Sequence, residues 1–137
     1  MEEKIIGFTG RPGKLYHLIF TTRRVIFARA SSFREHFGKL PESPGLIQKS
    51  GSENILSIDL SRYSPSDILA SDEDNYEIPY SDITKVKLRG VDAFRPIGTI
   101  IIHTPAKKFK FAEKVPREVF ERYRELIKEA LPDKYVE

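Results

Sequence analysis

The chain has 137 residues, with 23 lysine and arginine residues, 20 aspartate and glutamate residues, a net charge of +3 and a pI near 9.1. This length fits one domain, residues 1–137, that can bury about two-thirds of its surface. There is no cysteine, which excludes disulfides, thiolate metal sites and a cysteine nucleophile. The mild positive charge alone does not indicate nucleic acid binding.

The charges occur in blocks along the chain. Residues 1–40 hold 8 basic and 3 acidic residues, residues 85–115 hold 8 and 2, and residues 41–84 hold 2 and 9. No apolar run reaches the about 20 residues of a membrane-spanning helix. The opening segment MEEKIIGFTG is acidic where a signal peptide is basic. We therefore expect a cytoplasmic protein that is electrically divided along its sequence.

The first part of the chain predicts three antiparallel strands, at residues 4–9, 15–21 and 25–30. The last two are rich in β-branched and aromatic residues. The short polar step between them, residues 22–24, is typical of a hairpin. The glycines and proline of residues 10–13 favour a loop before this hairpin.

Residues 31–75 predict a partly helical, acidic insertion between the third and fourth strands. Ser32 and Glu35 have the spacing of a capping box, and Gly38 is a suitable helix end. Phe33 and Phe37 lie four residues apart, on one helical face. These signals predict a first short helix.

A second short helix in the insertion begins after Ser64, with Pro65 at its first position and Asp67 three residues beyond the serine. It directs Ile68 and Leu69 inward. The rest of the insertion divides into residues 53–60, which fit a helix or a strand equally, and predicted loops at 41–45 and 49–52.

The second half of the chain predicts further short antiparallel strands. One covers residues 83–89, after a step whose Pro79 belongs at an edge or a bend. A second hairpin pairs residues 98–103 with residues 107–112 around the turn at 104–106. In its second strand, phenylalanines on one face alternate with lysines on the other.

The last predicted element is an amphipathic helix that begins at Pro116 and ends before Pro132. Its apolar side chains have the i, i+1, i+4, i+7, i+8 spacing of one helical stripe: Val119, Phe120, Tyr123, Leu126, Ile127, Ala130 and Leu131. We expect this stripe to dock on the open end of a sheet sandwich or barrel.

Strands followed by a capping helix, together with three segments, resemble a pleckstrin-homology-like domain of the bacterial and archaeal branch related to GRAM domains. LIFTTRRVIFARA resembles the hairpin of its second and third strands, ILASDEDNYEIPYSDITKVKL the run into its fourth strand, and IIIHTPAKKFKF with VPREVFERYRELIKEAL its final hairpin and helix. The resemblance does not extend to residues 30–62. It implies a mainly β fold: a bent antiparallel sheet or partly open barrel of six or seven strands, closed by the C-terminal helix.

Members of this family are generally binding or scaffolding modules. The resemblance therefore implies a non-catalytic adaptor that binds another protein, with a peripheral membrane module that binds anionic lipid headgroups as the alternative. The phosphoinositide-binding members carry a basic-x-arginine pair that is missing here, because Lys14 is followed by Leu15-Tyr16-His17-Leu18, and this chain has no tryptophan. An inositol phosphate site is therefore not predicted.

Basic residues alternate along two predicted strands, and two more lie in the first loop. One interpretation is a solvated face that discourages edge pairing, and the other is a surface attracted to acidic lipid headgroups. The candidate anionic-ligand surface comprises Arg11, Lys14, Lys85, Lys87, Arg89, Lys108 and Lys110.

Other patterns in the sequence fail as sites. His17, His36 and His103 lie in separate elements without metal-ligand spacing, and the acidic turn at residues 72–75 lacks the later glutamate of a calcium loop. Residues 10–14 lack the first glycine of a phosphate-binding loop. We expect no metal, cofactor or catalytic site. Nucleic acid is disfavoured as a partner because the strand aromatics alternate as core residues do.

Overall fold

A computed structural model of the chain describes residues 3–9, 15–38, 45–46, 64–90, 97–114 and 116–137. Within these ranges the chain is mainly β, with nine strands, three α-helices and a 3-10 turn at Tyr80–Asp82. The strands are β1 Ile5–Phe8, β2 Tyr16–Thr21, β3 Arg24–Arg29, β4 Gly45–Leu46, β5 Tyr76–Pro79, β6 Lys85–Arg89, β7 Ile97–His103, β8 Lys108–Lys114 and β9 Tyr135–Val136. The helices are α1 Ala30–Phe37, α2 Pro65–Ala70 and α3 Arg117–Ala130.

The strands form two sheets. The first has the order β4-β1-β2-β3-β5 and the second the order β8-β7-β6-β9, and no ladder among the described residues joins them into a closed barrel. The expected number was six or seven strands, whereas the described residues form nine; β4 and β9, which have two residues each, and β5 were not predicted as strands. The prediction that all pairs are antiparallel is wrong for β9, which runs parallel to β6. β9 follows α3, and a crossover through a helix can return the chain in the parallel direction.

β2 and β3 form the predicted hairpin, paired residue by residue. The side chain of Thr21 holds its turn, because Oγ1 accepts the backbone N–H groups of Arg23 and Arg24, each at 3.0 Å. Hydroxyl side chains commonly stabilise turns in this way. The predicted polar segment, residues 22–24, is therefore a turn that the side chain of Thr21 stabilises.

α1 begins before the predicted capping box, so that prediction is wrong. Its N-cap is Arg29, which makes no side-chain capping hydrogen bond. Ser32 thus lies inside the first turn and donates its hydroxyl to Asp72 instead. Gly38 ends the helix as predicted, with a φ of 98° that glycine adopts without strain.

The other two helices begin where the sequence predicts. Ser64 caps α2, since its Oγ accepts the backbone N–H of Asp67 at 3.0 Å. α3 begins directly after Pro116. The buried members of its apolar stripe and its end are Phe120, Tyr123, Leu126, Ile127 and Leu131. They join the main core, so the predicted docking stripe is confirmed.

The first sheet is buried on both faces. One face packs against the second sheet and α3, in a core that includes Leu18, Phe20 and Phe27. The opposite face lies under α1 and α2, in a smaller cluster that includes Ile19 and Ile26. A strand that is covered on both sides has no solvent-facing side. This explains the continuous apolar runs of β2 and β3.

The second sheet is covered on one face by the part of the chain that the structure describes. In β6, Val86 and Leu88 are buried whereas Lys85 and Arg89 are exposed. Such alternation is typical of a sheet with one side in solvent. The exposed side is the surface on which the candidate residues lie.

Some predictions fall outside the described residues, namely those for residues 53–60, 49–52 and 41–44. The predicted loop at 41–45 is corrected at its last residue, because Gly45 begins β4 and pairs with Phe8. Pairing with the edge of β1 satisfies backbone groups that a loop would leave to solvent.

Candidate anionic-ligand surface

The exposed face of the second sheet gathers basic side chains from β6 and β8. Five of the seven predicted residues lie on it: Lys85, Lys87, Arg89, Lys108 and Lys110. Arg11 and Lys14 lie outside the described residues. Lys114 is also exposed on this face, because successive side chains of a strand point to opposite sides. The strand predicted from the sequence ends at residue 112, so Lys114 was not among the predicted residues.

We call these six described residues, Lys85, Lys87, Arg89, Lys108, Lys110 and Lys114, the basic face. β7 lies between the two strands that carry them. The cross-strand register forms two rows, Lys85-His103-Lys108 and Lys87-Ile101-Lys110. Neighbouring strands lie about 4.8 Å apart, so the two lysine backbones of a row are about 10 Å apart. Flexible lysine side chains can close over that distance onto one anion.

Carboxylates do not neutralise the basic face within the described ranges. The ion pairs there join Arg24 to Glu3 and Glu77, Arg29 to Asp74, and Arg124 to Glu121 and Glu137. Glu77 of β5 and Asp74 before it therefore pair with arginines of the first sheet. A cluster of like charges without internal partners attracts anions from solution.

His103 lies between Lys85 and Lys108 in the first row. Its Nε2 atom is enclosed and has no hydrogen-bond partner among the described residues. The pKa of His103 is lowered, first because the ring is withdrawn from solvent and then because Lys85, Lys108 and Lys87 are close. A histidine with a lowered pKa is neutral at neutral pH.

The sequence predicted that His103, like the other two histidines, is a structural or surface residue. The sequence did indicate that His103 lies beside Lys108, because a hairpin with a turn at residues 104–106 places these two residues opposite each other. What the hairpin alone does not show is Lys85 on the other side, which depends on the pairing of β6 with β7.

Aliphatic side chains lie among the cations of the basic face. Ile97 is 46% exposed and Val136, which pairs with Lys87, is 40% exposed. Ile101 is half-buried at the centre of the second row. Among the described residues only three large hydrophobic side chains are exposed, and two of them, Ile97 and Val136, lie on this face. The face thus offers both charge and apolar contact.

The acidic turn at residues 72–75 is a structural connection. Asp72 accepts hydrogen bonds from the Ser32 hydroxyl and the backbone N–H of Asp74, and these lower the pKa of Asp72. Arg29 donates its backbone N–H to Asn75 Oδ1 at 2.7 Å and forms an ion pair with Asp74. These contacts fasten the turn to β3 and α1, and they engage the carboxylates of Asp72 and Asp74 internally.

The aromatic residues of the strands pack in the core, as the sequence predicts for Tyr16, Phe20, Phe27, Phe109 and Phe111. Phe27 stacks on Tyr76 with ring centroids 4.4 Å apart, and it contacts Phe109 and Phe111 of the opposite sheet at 5.7 and 5.6 Å. Burial raises the pKa of Tyr76 to about 12. These rings join the sheets and do not form an exposed stacking surface.

In the ranges given above, no three histidine, aspartate or glutamate side chains are placed to hold a metal ion. The helices of the same ranges are too short or too polar to cross a lipid bilayer.

No protein-family model, curated protein or solved structure matches the chain.

Proposed function

We propose that this chain is a non-catalytic, pleckstrin-homology-like module that binds anionic membrane surfaces through the basic face. The element order supports the family assignment: β1, β2, β3 and β5 in one sheet, β6 to β8 in another, and an amphipathic helix after them. The observation that carries the function is the gathering of six cations on one open sheet face, without a carboxylate partner in the described ranges. It favours the membrane over the protein partner that the sequence placed first.

The size of the cluster is sufficient for measurable binding. A basic residue close to an anionic membrane contributes about 1 kcal/mol, so six contribute on the order of 6 kcal/mol at low ionic strength. The exposed side chains of Ile97 and Val136 add apolar contact at the same face. Because the Debye length falls from about 10 Å at 0.1 M salt to about 3 Å at 1 M, this binding must weaken steeply with salt.

Sedimentation with lipid vesicles tests the proposal. Vesicles of phosphatidylcholine with increasing phosphatidylglycerol should retain the protein in proportion to anionic content at low salt. The triple variant Lys85→Glu, Lys87→Glu and Lys108→Glu should abolish the binding to anionic vesicles. A matched control with the same change of net charge is the triple variant Arg34→Glu, Arg117→Glu and Arg122→Glu, whose exposed residues lie on α1 and α3.

The two triple variants separate a specific face from a general charge effect. The control should keep most of the wild-type binding, because its arginines lie outside the second sheet. Equal loss in both variants would show that only net charge matters. Absence of wild-type binding at every lipid composition would refute the membrane proposal.

A protein partner is the second candidate, and the edge of β8 favours it. β8 has seven residues and pairs only with β7 in the described part of the chain. The backbone N–H of Thr104 donates to the carbonyl oxygen of Lys107 at the start of this ladder. In an antiparallel ladder such hydrogen-bonded pairs recur at every second position, so Ala112 and its partner Thr99 form a non-hydrogen-bonded pair. The N–H of Ala112 therefore points away from β7. An added strand could pair there. Ala112→Pro would then abolish capture of a protein partner without changing vesicle binding.

A further inference from the structure

The imidazole of His103 is enclosed by cations on both neighbouring strands. Lys85 and Lys108 share its row, and Lys87 and Lys110 occupy the next row of the same face. Its own strand contributes Ile101 and no charge. Among the described residues of these three strands, no carboxylate lies on this face and Nε2 has no hydrogen-bond partner.

These surroundings disfavour the protonated ring as long as the face is empty. An anion held over the row by Lys85 and Lys108 would offset the positive charge of the lysines, which is one of the conditions that oppose protonation of the ring. Protonation of His103 and binding of an anion should therefore favour each other.

We propose that His103 couples headgroup binding to proton uptake, so that the basic face binds phospholipid phosphate groups more tightly as the pH falls. This inference rests on the proposed function and adds its regulation. The ligand chemistry is a phosphodiester, whose charge does not change near neutral pH. Among side chains with ordinary titration behaviour, only histidine changes charge between about pH 5 and pH 8. His103 is the one histidine on the face among the described residues.

The size of the effect follows from linkage. A single group that gains a proton on binding changes the affinity by at most about tenfold per pH unit. The change is confined to the pH interval between the titration of the free and the bound protein. We therefore expect severalfold to tenfold tighter binding at about pH 5.5 than at about pH 7.5.

The experiment measures partition onto phosphatidylcholine vesicles with a fixed fraction of phosphatidylglycerol across this pH range. Wild-type protein should bind more tightly at low pH. His103→Gln should bind weakly and independently of pH, and His103→Lys tightly and independently of pH. His36→Gln is the matched control, since His36 is exposed on α1 and should leave the wild-type pH dependence intact.

The outcomes separate the two proposals. If the wild type fails to bind at any pH, the proposed function is wrong. If it binds equally well across the pH range, or if His103→Gln keeps the wild-type pH dependence, the proton coupling is wrong and the membrane function stands. NMR titration of the His103 ring gives a second readout, in which vesicles should move its protonation to higher pH.

A competition distinguishes a lipid phosphate from a free one. Glycerophosphoglycerol, a soluble phosphodiester, at the phosphate concentration of the vesicles and with ionic strength held constant should leave the protein bound, because a vesicle presents many phosphates to the face at once. Complete release by this soluble phosphate would overturn the membrane source of the ligand.

Discussion

Arg24 and Arg29 stand at the two ends of β3, and the structure predicts different consequences for the same substitution at each. Arg24 forms ion pairs with Glu3, which precedes β1, and with Glu77 of β5. Its side chain is 16% exposed, and those of the two glutamates are 14% and 33% exposed. Burial opposes its charge, but the hydrogen bonds to both glutamates outweigh this and raise the pKa of Arg24.

Arg24→Met keeps the aliphatic packing and removes the charge that the two glutamates share. Removing one partner of a buried ion pair costs about 3–5 kcal/mol. Solvent reaches part of this cluster, so we expect a loss of about 2–3 kcal/mol in the free energy of unfolding. Arg29→Met breaks a pair with Asp74 whose side chains are 46% and 55% exposed, and it should cost about 0–1 kcal/mol.

Urea denaturation of the wild type and both variants at one pH measures these losses. A double-mutant cycle with Glu77→Gln should give a coupling energy of at least about 1 kcal/mol for Arg24. Equal losses at Arg24 and Arg29, or a loss below about 1 kcal/mol for Arg24→Met, would refute the assignment of the Arg24 cluster as a shared anchor of β1, β3 and β5.

Three further variants test the core, a helix cap and the pH dependence. Phe27→Ala removes the ring that contacts both sheets, and urea denaturation should show a loss of about 3–5 kcal/mol; a loss below about 1 kcal/mol would contradict the packing. Ser64→Ala removes the cap of α2 and should cost about 1 kcal/mol in thermal unfolding; an unchanged melting temperature would contradict the cap. Because the pKa of His103 is lowered in the folded protein, the unfolded chain takes up its proton first, and this contribution to stability falls as the pH decreases. His103→Gln should therefore lose less stability than the wild type on acidification in buffer without lipid, and parallel stability curves would show that the ring is not perturbed.

Local signals in the sequence predicted most of the secondary structure. Both hairpins, the Ser64 cap, the Gly38 end and the stripe of α3 depend on residues close to one another in the chain. Such signals are physically complete within a turn or two, because the groups that satisfy each other are neighbours. The predicted capping box at Ser32 was wrong because the Ser32 hydroxyl bonds to Asp72, forty residues away, and no local signal shows that partner.

For the candidate surface, too, one part could be predicted from local signals and another part could not. Strand alternation in the sequence was sufficient to place Lys85, Lys87, Lys108 and Lys110 on outward faces. Alternation does not tell which outward face remains in solvent. That depended on α1 and α2, which cover the first sheet and leave the second open within the described residues.

The sequence by itself therefore determined β1, β2, β3, β6, β7 and β8, the three helices and the outward direction of the basic side chains, because each follows from a period of two or of 3.6 along the chain. Only the tertiary structure decided that β7 lies between the lysines of β6 and those of β8, and that His103 is held between them. The physical reason is that pairing of distant strands joins residues whose separation in sequence carries no local signal. The sequence located the positive charges, and the order of the sheet made them a single surface.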